Sequence, residues 1–204
     1  MTLKSRYHSI ILGATMMFSV FTSVDAQTNP IATIETAHGK IEIELYANDA
    51  PKTVENFIGL AEKRYFDGGR VHRIVPHFVI QAGDDKSKDL KKKAEWGTGG
   101  TSIWGKEFAD ELDPKTPSYQ AGYKKGVVAM ANRGPNTNTS QFFIMLADNT
   151  TLPKAYTIFG KVVKGIDVVD KIAASPLEPG SSIPQKEVVL KKVRIVRSTA
   201  PSKK

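Results

Sequence analysis

Apolar and polar residues alternate strictly over Lys40–Leu45, with Ile41, Ile43 and Leu45 on one side and Lys40, Glu42 and Glu44 on the other. Successive side chains of a strand point to opposite faces, so this pattern predicts a half-buried strand. Ile31–Thr36 alternates in the same way, and His38-Gly39 between the two reads as a hairpin turn. Apolar runs at Gly126–Ala131, Gln141–Leu146, Thr157–Val163 and Val188–Val196 predict further strands. Val71–Asp84 also has strand character and sets Arg73, Phe78 and Gln81 among apolar neighbours. Helical spacing occurs twice. Val54, Phe57, Ile58 and Ala61 recur on one face behind Asn48-Asp49-Ala50-Pro51, where Asn or Asp would cap the free amides and Pro sits in the first turn. Gly165–Ala174 gives a second amphipathic helix. Two helices among many antiparallel strands predict an α+β or closed β architecture, with neither repeats nor a second domain.

The irregular segments carry the chemistry. A loop from Asn132 to Ser140, rich in Asn, Thr and Gly, joins two apolar strands and ends on Gln141. Loops held on rigid sheets commonly carry function. An Arg among apolar residues, as at Arg73, needs a partner or a task. Asp84–Trp96 is long and charged, and a mobile surface excursion is expected there. The following Gly97-Thr98-Gly99-Gly100 lacks the Lys-Ser/Thr ending of a phosphate loop, so close backbone approach at a groove is the better account.

Composition narrows the classes. The 204 residues are 40% hydrophobic and 25% charged, ordinary for a globular chain, with a net charge of +8. The basic residues are scattered, and no patch interleaved with aromatics points to nucleic acid. With no Cys, disulfides, thiol catalysis and cysteine-held metals are excluded. His72 and His77 have no third ligand in view, so no metal site is expected. At the N-terminus, Lys4 and Arg6 precede an apolar stretch over Ser9–Val24, and Val24-Asp25-Ala26 offers small residues for cleavage. This reads as a secretory signal cut after Ala26, too short for a spanning helix. Three segments are expected: a signal over 1–26, one domain over 27–198 and a basic tail over 199–204. The exported form would be periplasmic or extracellular, without stable membrane insertion, and monomeric.

From about Ile31 to Val196 the chain resembles the cyclophilin family of peptidyl-prolyl cis-trans isomerases, in a form like exported bacterial members. The resemblance rests on His72-Arg73-Ile74-Val75-Pro76, Phe78-Val79-Ile80-Gln81-Ala82-Gly83-Asp84, Gly97-Thr98-Gly99-Gly100, Met130-Ala131-Asn132, Gly134-Pro135-Asn136-Thr137-Asn138, Ser140-Gln141-Phe142-Phe143-Ile144 and Phe159-Gly160-Lys161-Val162, in family order. It implies a mainly β fold: a closed eight-stranded antiparallel barrel capped by two α-helices. It also implies acceleration of X-Pro bond rotation in unfolded or flexible exported proteins, with proline-containing polypeptides as partners and no cofactor. Arg73 falls at the catalytic arginine. Phe78, Val79, Phe143 and Leu152 would line the proline pocket, and Gln81 would position Arg73. Asn132, through its backbone, and Gln141 would hold the peptide before the proline, with Ala131 and Arg133 beside them.

The departures cluster after Asp148. A Trp often precedes the Leu in the family and supports cyclosporin binding; here Thr151 stands there, so drug sensitivity is expected to be weak. Tyr156 falls near a common His and would wall the pocket with its ring. Arg133 replaces a small residue and would favour acidic or polar residues before proline. The rival reading is a proline-peptide binding module or holdase that uses the same groove without turnover.

Overall fold

Residues 29–196 are described by a computed structural model of the chain. The signal and tail expected at 1–26 and 199–204 lie outside the described residues. Alternation does what it predicts in β1 (Ile31–Thr36) and β2 (Gly39–Leu45), where Ala32, Ile34, Ile41, Ile43 and Leu45 are buried. The turn between them is Ala37-His38, one position earlier than expected, and Gly39 opens β2 opposite Thr36. Gly39 has φ +134, and a Cβ there would press on Val168, so the glycine is required twice over.

α1 (Pro51–Glu62) follows, with Pro in its first turn. Its cap is not the expected Asn48 or Asp49. The free amides of Lys52 and Thr53 donate instead to the Glu111 carboxylate, at 3.0 and 2.8 Å. Asp49 accepts from Ser118 N at the start of α2 (Pro117–Ala121), a short helix the apolar spacing does not announce. Val71–Asp84 is a hairpin rather than one strand: β3 (Arg73–Val75) and β4 (Val79–Ala82) flank a turn in which His77 takes φ +61. β5 (Val127–Met130), β6 (Phe142–Met145), β7 (Ile158–Lys164), α3 (Ile166–Ala173) and β8 (Lys192–Val196) complete the described residues. The strand expected from Val188 starts only at Lys192.

The eight strands form one antiparallel sheet in the order β3-β4-β6-β5-β7-β2-β1-β8. The sheet curls until its ends meet. No ladder joins β3 to β8; the seam is an irregular bridge just before each. Gly68 N donates to Leu190 O, Leu190 N to Gly69 O and Val71 N to Val188 O, all within 2.8–2.9 Å. The barrel core takes Phe57 from α1, stacked on Phe66 at 4.9 Å and against Phe142 and Phe159, together with Val169 and Ile172 from α3. Such aromatic clusters carry much of a core's burial.

The excursion after Asp84 is two 3₁₀ turns, Asp85–Lys88 and Leu90–Glu95, capped by the side chains of Asp84 and Asp89. The excursion, expected to be mobile from its charge, is tied to the rest of the fold by side-chain bonds at several points. Arg70 donates to Glu187 at 2.6 Å and to the carbonyls of Ser87 and Lys88, with its guanidinium 5.7 Å from the Trp96 ring. Lys93 pairs with Glu178.

Candidate active site

Part of the barrel's outer face is covered by packed side chains. Along β6, Phe142 and Ile144 enter the barrel core, so Phe143 and Met145 must point outward. Outward side chains of β3, β4, β5 and β7 join them in a second cluster that includes Val79, Ala129 and Ile158. Register explains the patch. Arg73 lies opposite Gln81, Gln81 opposite Phe143, and Phe143 opposite Ala129. Two residues along, Val75, Val79 and Met145 form a parallel row. Residues paired across a ladder share a face, so a row that turns from apolar at Ala129 and Phe143 to polar at Gln81 and Arg73 adjoins an apolar floor.

Most expected pocket residues come together here. Phe78, Leu152, Tyr156 and Ala131 pack half-buried around the cluster, and the Phe143 and Tyr156 rings meet edge to face at 5.6 Å. Tyr156 is fixed from behind: its N–H donates to Tyr123 Oη, and that hydroxyl donates to its carbonyl, both at 3.0 Å. Val79 is only 2% exposed, so it forms the floor under the pocket rather than its wall. Thr151 is exposed, at the rim.

Arg73 has no carboxylate within ion-pair distance among the described residues. Its Nη1 donates to Gln81 Oε1 at 3.2 Å, and no other bond of its side chain occurs there. A chain of amides runs on from that contact. Gln81 Nε2 donates to Gln141 Oε1 at 2.8 Å, and Gln141 Nε2 donates to the carbonyls of Gly97 and Gly99 at 2.9 and 2.7 Å. Every link has one direction: turning Gln141 over would set its oxygen against two carbonyls. Arg73 is therefore held at one corner while its other N–H groups stay free to donate.

Beside this row lies a cleft of about 70 Å³ lined by Gln81, Gly97, Gly99, Ala131, Asn132 and Gln141. The peptide groups of Asn132 make no hydrogen bond within the described residues, while its side chain donates to Ala155 O at 2.9 Å. Arg133 stands exposed at the rim, 2.6 Å from Glu107. Its charge is already partnered, so an acidic residue before proline would have to compete for it. A larger groove of about 370 Å³ lies between Tyr46, Pro117 and Lys161, and is lined by none of Arg73, Gln81, Phe143 and Gln141.

Behind the glycine rim, His72 is 4% exposed and neither ring nitrogen makes a well-formed hydrogen bond among the described residues. Burial lowers its pKa from the usual 6.5, so the ring is neutral in the fold. The unfolded chain takes up that proton first, so stability falls as pH drops below 6.5 and levels off under the folded pKa. Urea titrations should show His72→Phe losing less stability than wild type between about pH 7.5 and about pH 5. Equal losses would show that His72 is not the source.

This arrangement meets the needs of one reaction class. Rotation about an X-Pro amide breaks no bond, but a barrier of roughly 18–20 kcal/mol must be lowered. A fixed donor can stabilise the prolyl nitrogen as it becomes pyramidal, and an apolar hollow can hold the ring. Sequence reasoning missed the contribution of Gly97 and Gly99 carbonyls, of Tyr123 behind Tyr156, and of Met145 and Val75 in the floor.

Comparisons with known proteins agree with that chemistry. The family model described as cyclophilin type peptidyl-prolyl cis-trans isomerase/CLD matches residues 31–199. A Neurospora crassa peptidyl-prolyl cis-trans isomerase-like 1 is 43% identical over 164 residues, 80% of this chain and 93% of that protein. The Schizosaccharomyces pombe peptidyl-prolyl cis-trans isomerase ppi1 is 44% identical, over 72% of this chain and 91% of that protein. Among solved structures, a Cryptosporidium parvum cyclophilin type isomerase superposes with a TM-score of 0.73 at 31% identity, covering 84% of this chain and 99% of that one. The same protein has been solved in the presence of the dipeptide Ala-Pro. The chain thus belongs to the cyclophilin-type peptidyl-prolyl cis-trans isomerase family, and it is a peptidyl-prolyl cis-trans isomerase.

Proposed function

We propose that this isomerase acts on unfolded or flexible exported polypeptides and assists their folding, with Arg73 as the catalytic residue. The observation that carries the reading is the Arg73 guanidinium, which among the described residues has no carboxylate partner and is tied only to Gln81, beside the Phe143 cluster. A guanidinium cannot lose its proton and presents several donors in a rigid fork. One N–H would donate to the prolyl nitrogen as the amide twists. Phe78, Phe143, Leu152 and Tyr156 would enclose the ring over Val79. Gln141 and the Asn132 backbone would hold the residues before proline, with Ala131 and Arg133 at their side. The enzyme would bind the twisted amide better than the planar one, as catalysis without covalent chemistry requires.

Export is read from Lys4, Arg6, the apolar stretch Ser9–Val24 and the small residues up to Ala26. Expression of the full chain in a secreting bacterium should give an envelope or secreted protein whose first residue is Gln27, identified by mass spectrometry. Recovery of the intact chain from the cytoplasm alone would rule export out. The Gln27 form should also shorten the proline-limited phase of refolding of a client with a cis X-Pro bond; an unchanged phase would sink the folding role.

A further inference from the structure

The amide chain that ends on Arg73 begins at two glycine carbonyls, and something must hold those carbonyls in place. Asp84 is buried, and one of its oxygens accepts Gly97 N–H while the other accepts Lys86 N–H at 2.8 Å. Asp85 Oδ1 accepts Gly100 N–H at 2.8 Å and the Tyr65 hydroxyl at 3.2 Å. Two adjacent carboxylates thus close the base of the 85–96 excursion by gripping the backbone on either side of Gly99. Gly100 N–H shares a peptide plane with the Gly99 carbonyl, so its bond to Asp85 turns that carbonyl the other way, to Gln141, while Asp84 holds the backbone N–H of Gly97, whose own carbonyl also accepts from Gln141. The grip leaves no space for a side chain: a Cβ on Gly99 would overlap Asp84 Oδ1 and come within 2.7 Å of Asp85 Oδ1. The bar to a side chain there is room, since Gly99, unlike its neighbours Gly97 and Gly100, has no positive φ.

We propose that Asp84 and Asp85 are positioning residues for the isomerase reaction: they set the Gly97 and Gly99 carbonyls, which orient Gln141, then Gln81, then the Arg73 guanidinium. Carboxylate acceptors are stronger than neutral ones and hold backbone N–H groups closely. Links in such a chain polarise one another and act as a unit. Asn at position 84 keeps the shape, but only one of its two terminal atoms can accept. It cannot satisfy both Gly97 and Lys86. The excursion is therefore more than a surface insertion, since its closure determines which way the catalytic donor faces. This inference rests on Arg73 being the catalytic donor.

Its test is a mutant cycle on turnover. The wild type, Asp84→Asn, Gly99→Ala, Gln141→Ala and Asp84→Asn/Gln141→Ala would be compared with Leu90→Ala, an exposed residue on the same excursion. Asp84→Asn and Gly99→Ala should each lower kcat about tenfold with KM within about twofold, and Leu90→Ala should leave both unchanged. The double variant should lose no more than Gln141→Ala alone, because both act through one chain. If the losses multiply, or if Asp84→Asn lowers only the unfolding midpoint and not kcat per folded molecule, the proposal is overturned. Should Asp84→Asn fail to fold, Asp85→Ala, which removes the acceptor of Gly100 N–H at an exposed position, takes its place in the cycle. An inactive wild type would instead strike the isomerase reading itself.

Discussion

Arg73→Ala should lower kcat/KM on a proline peptide about 100-fold while the urea midpoint stays close to that of the wild type. A hydrogen bond to a charged group is worth roughly 1.5–3 kcal/mol, which spans about one to two decades of rate. The fold should barely respond. Arg73 is half-buried, has no ion pair among the described residues and makes one bond of 3.2 Å. Gln81 keeps its bond to Gln141 when the guanidinium is gone. Arg73→Lys should lie nearer to Ala than to wild type, since an ammonium keeps the charge but not the planar fork held by Gln81. A protease-coupled assay gives the rates. If Arg73→Ala retained wild-type turnover, the twisted amide would have to be stabilised elsewhere.

Arginine cannot supply the whole effect. An acceleration of about 10⁴- to 10⁵-fold needs roughly 5.5–7 kcal/mol, so the apolar hollow must contribute the rest by holding the ring and excluding water. Phe143→Ala should expose that share. Phe143 is 6% exposed, lies opposite both Gln81 and Ala129 in the sheet, and meets Tyr156 edge to face. Truncating a buried Phe costs about 3–5 kcal/mol of stability. It also removes the surface against which the proline ring would be buried, which should cost about tenfold or more in kcat/KM per folded molecule. Phe143→Leu separates the two effects: it refills most of the volume but loses the flat ring and its contact with Tyr156. It should recover most of the stability and less of the activity. Full activity in a folded Phe143→Ala protein would show that this face does not take the proline.

The legible parts of the fold were those where one face meets water. β1 and β2 show clean alternation because their outer residues, such as Glu42 and Glu44, are solvated. β3 and β4 are covered on both faces near the site, so their apolar run reads as one strand, and the left-handed His77 at the turn leaves no glycine to mark it. The α1 cap was not readable because Glu111 arrives from nearly sixty positions away. Charge alone did not show what holds the excursion: Asp84 and Asp89 cap its turns locally, and Arg70 and Glu178 bond to it from outside. At the site, Arg73, Gln81 and Phe143 were legible through the family motifs, and sheet register accounts for why they face one another. The glycine rim was recognised as a close approach, but not as the acceptor end of the chain that fixes Gln141. The backbone there is held by the Asp84 and Asp85 carboxylates, through Gly97 and Gly100 N–H, and residue type alone does not encode that.

The most direct test of Arg73 as a donor to the twisted amide separates binding from rotation. NMR exchange spectroscopy on an Ala-Pro peptide at saturating enzyme gives both the dissociation constant and the on-enzyme rate of cis-trans exchange. The account predicts that Arg73→Ala binds the peptide within about threefold of wild type but interconverts it about 100-fold more slowly. A variant that loses the peptide yet rotates the bound fraction at the wild-type rate would contradict it, since the guanidinium would then be an anchor and not a catalyst.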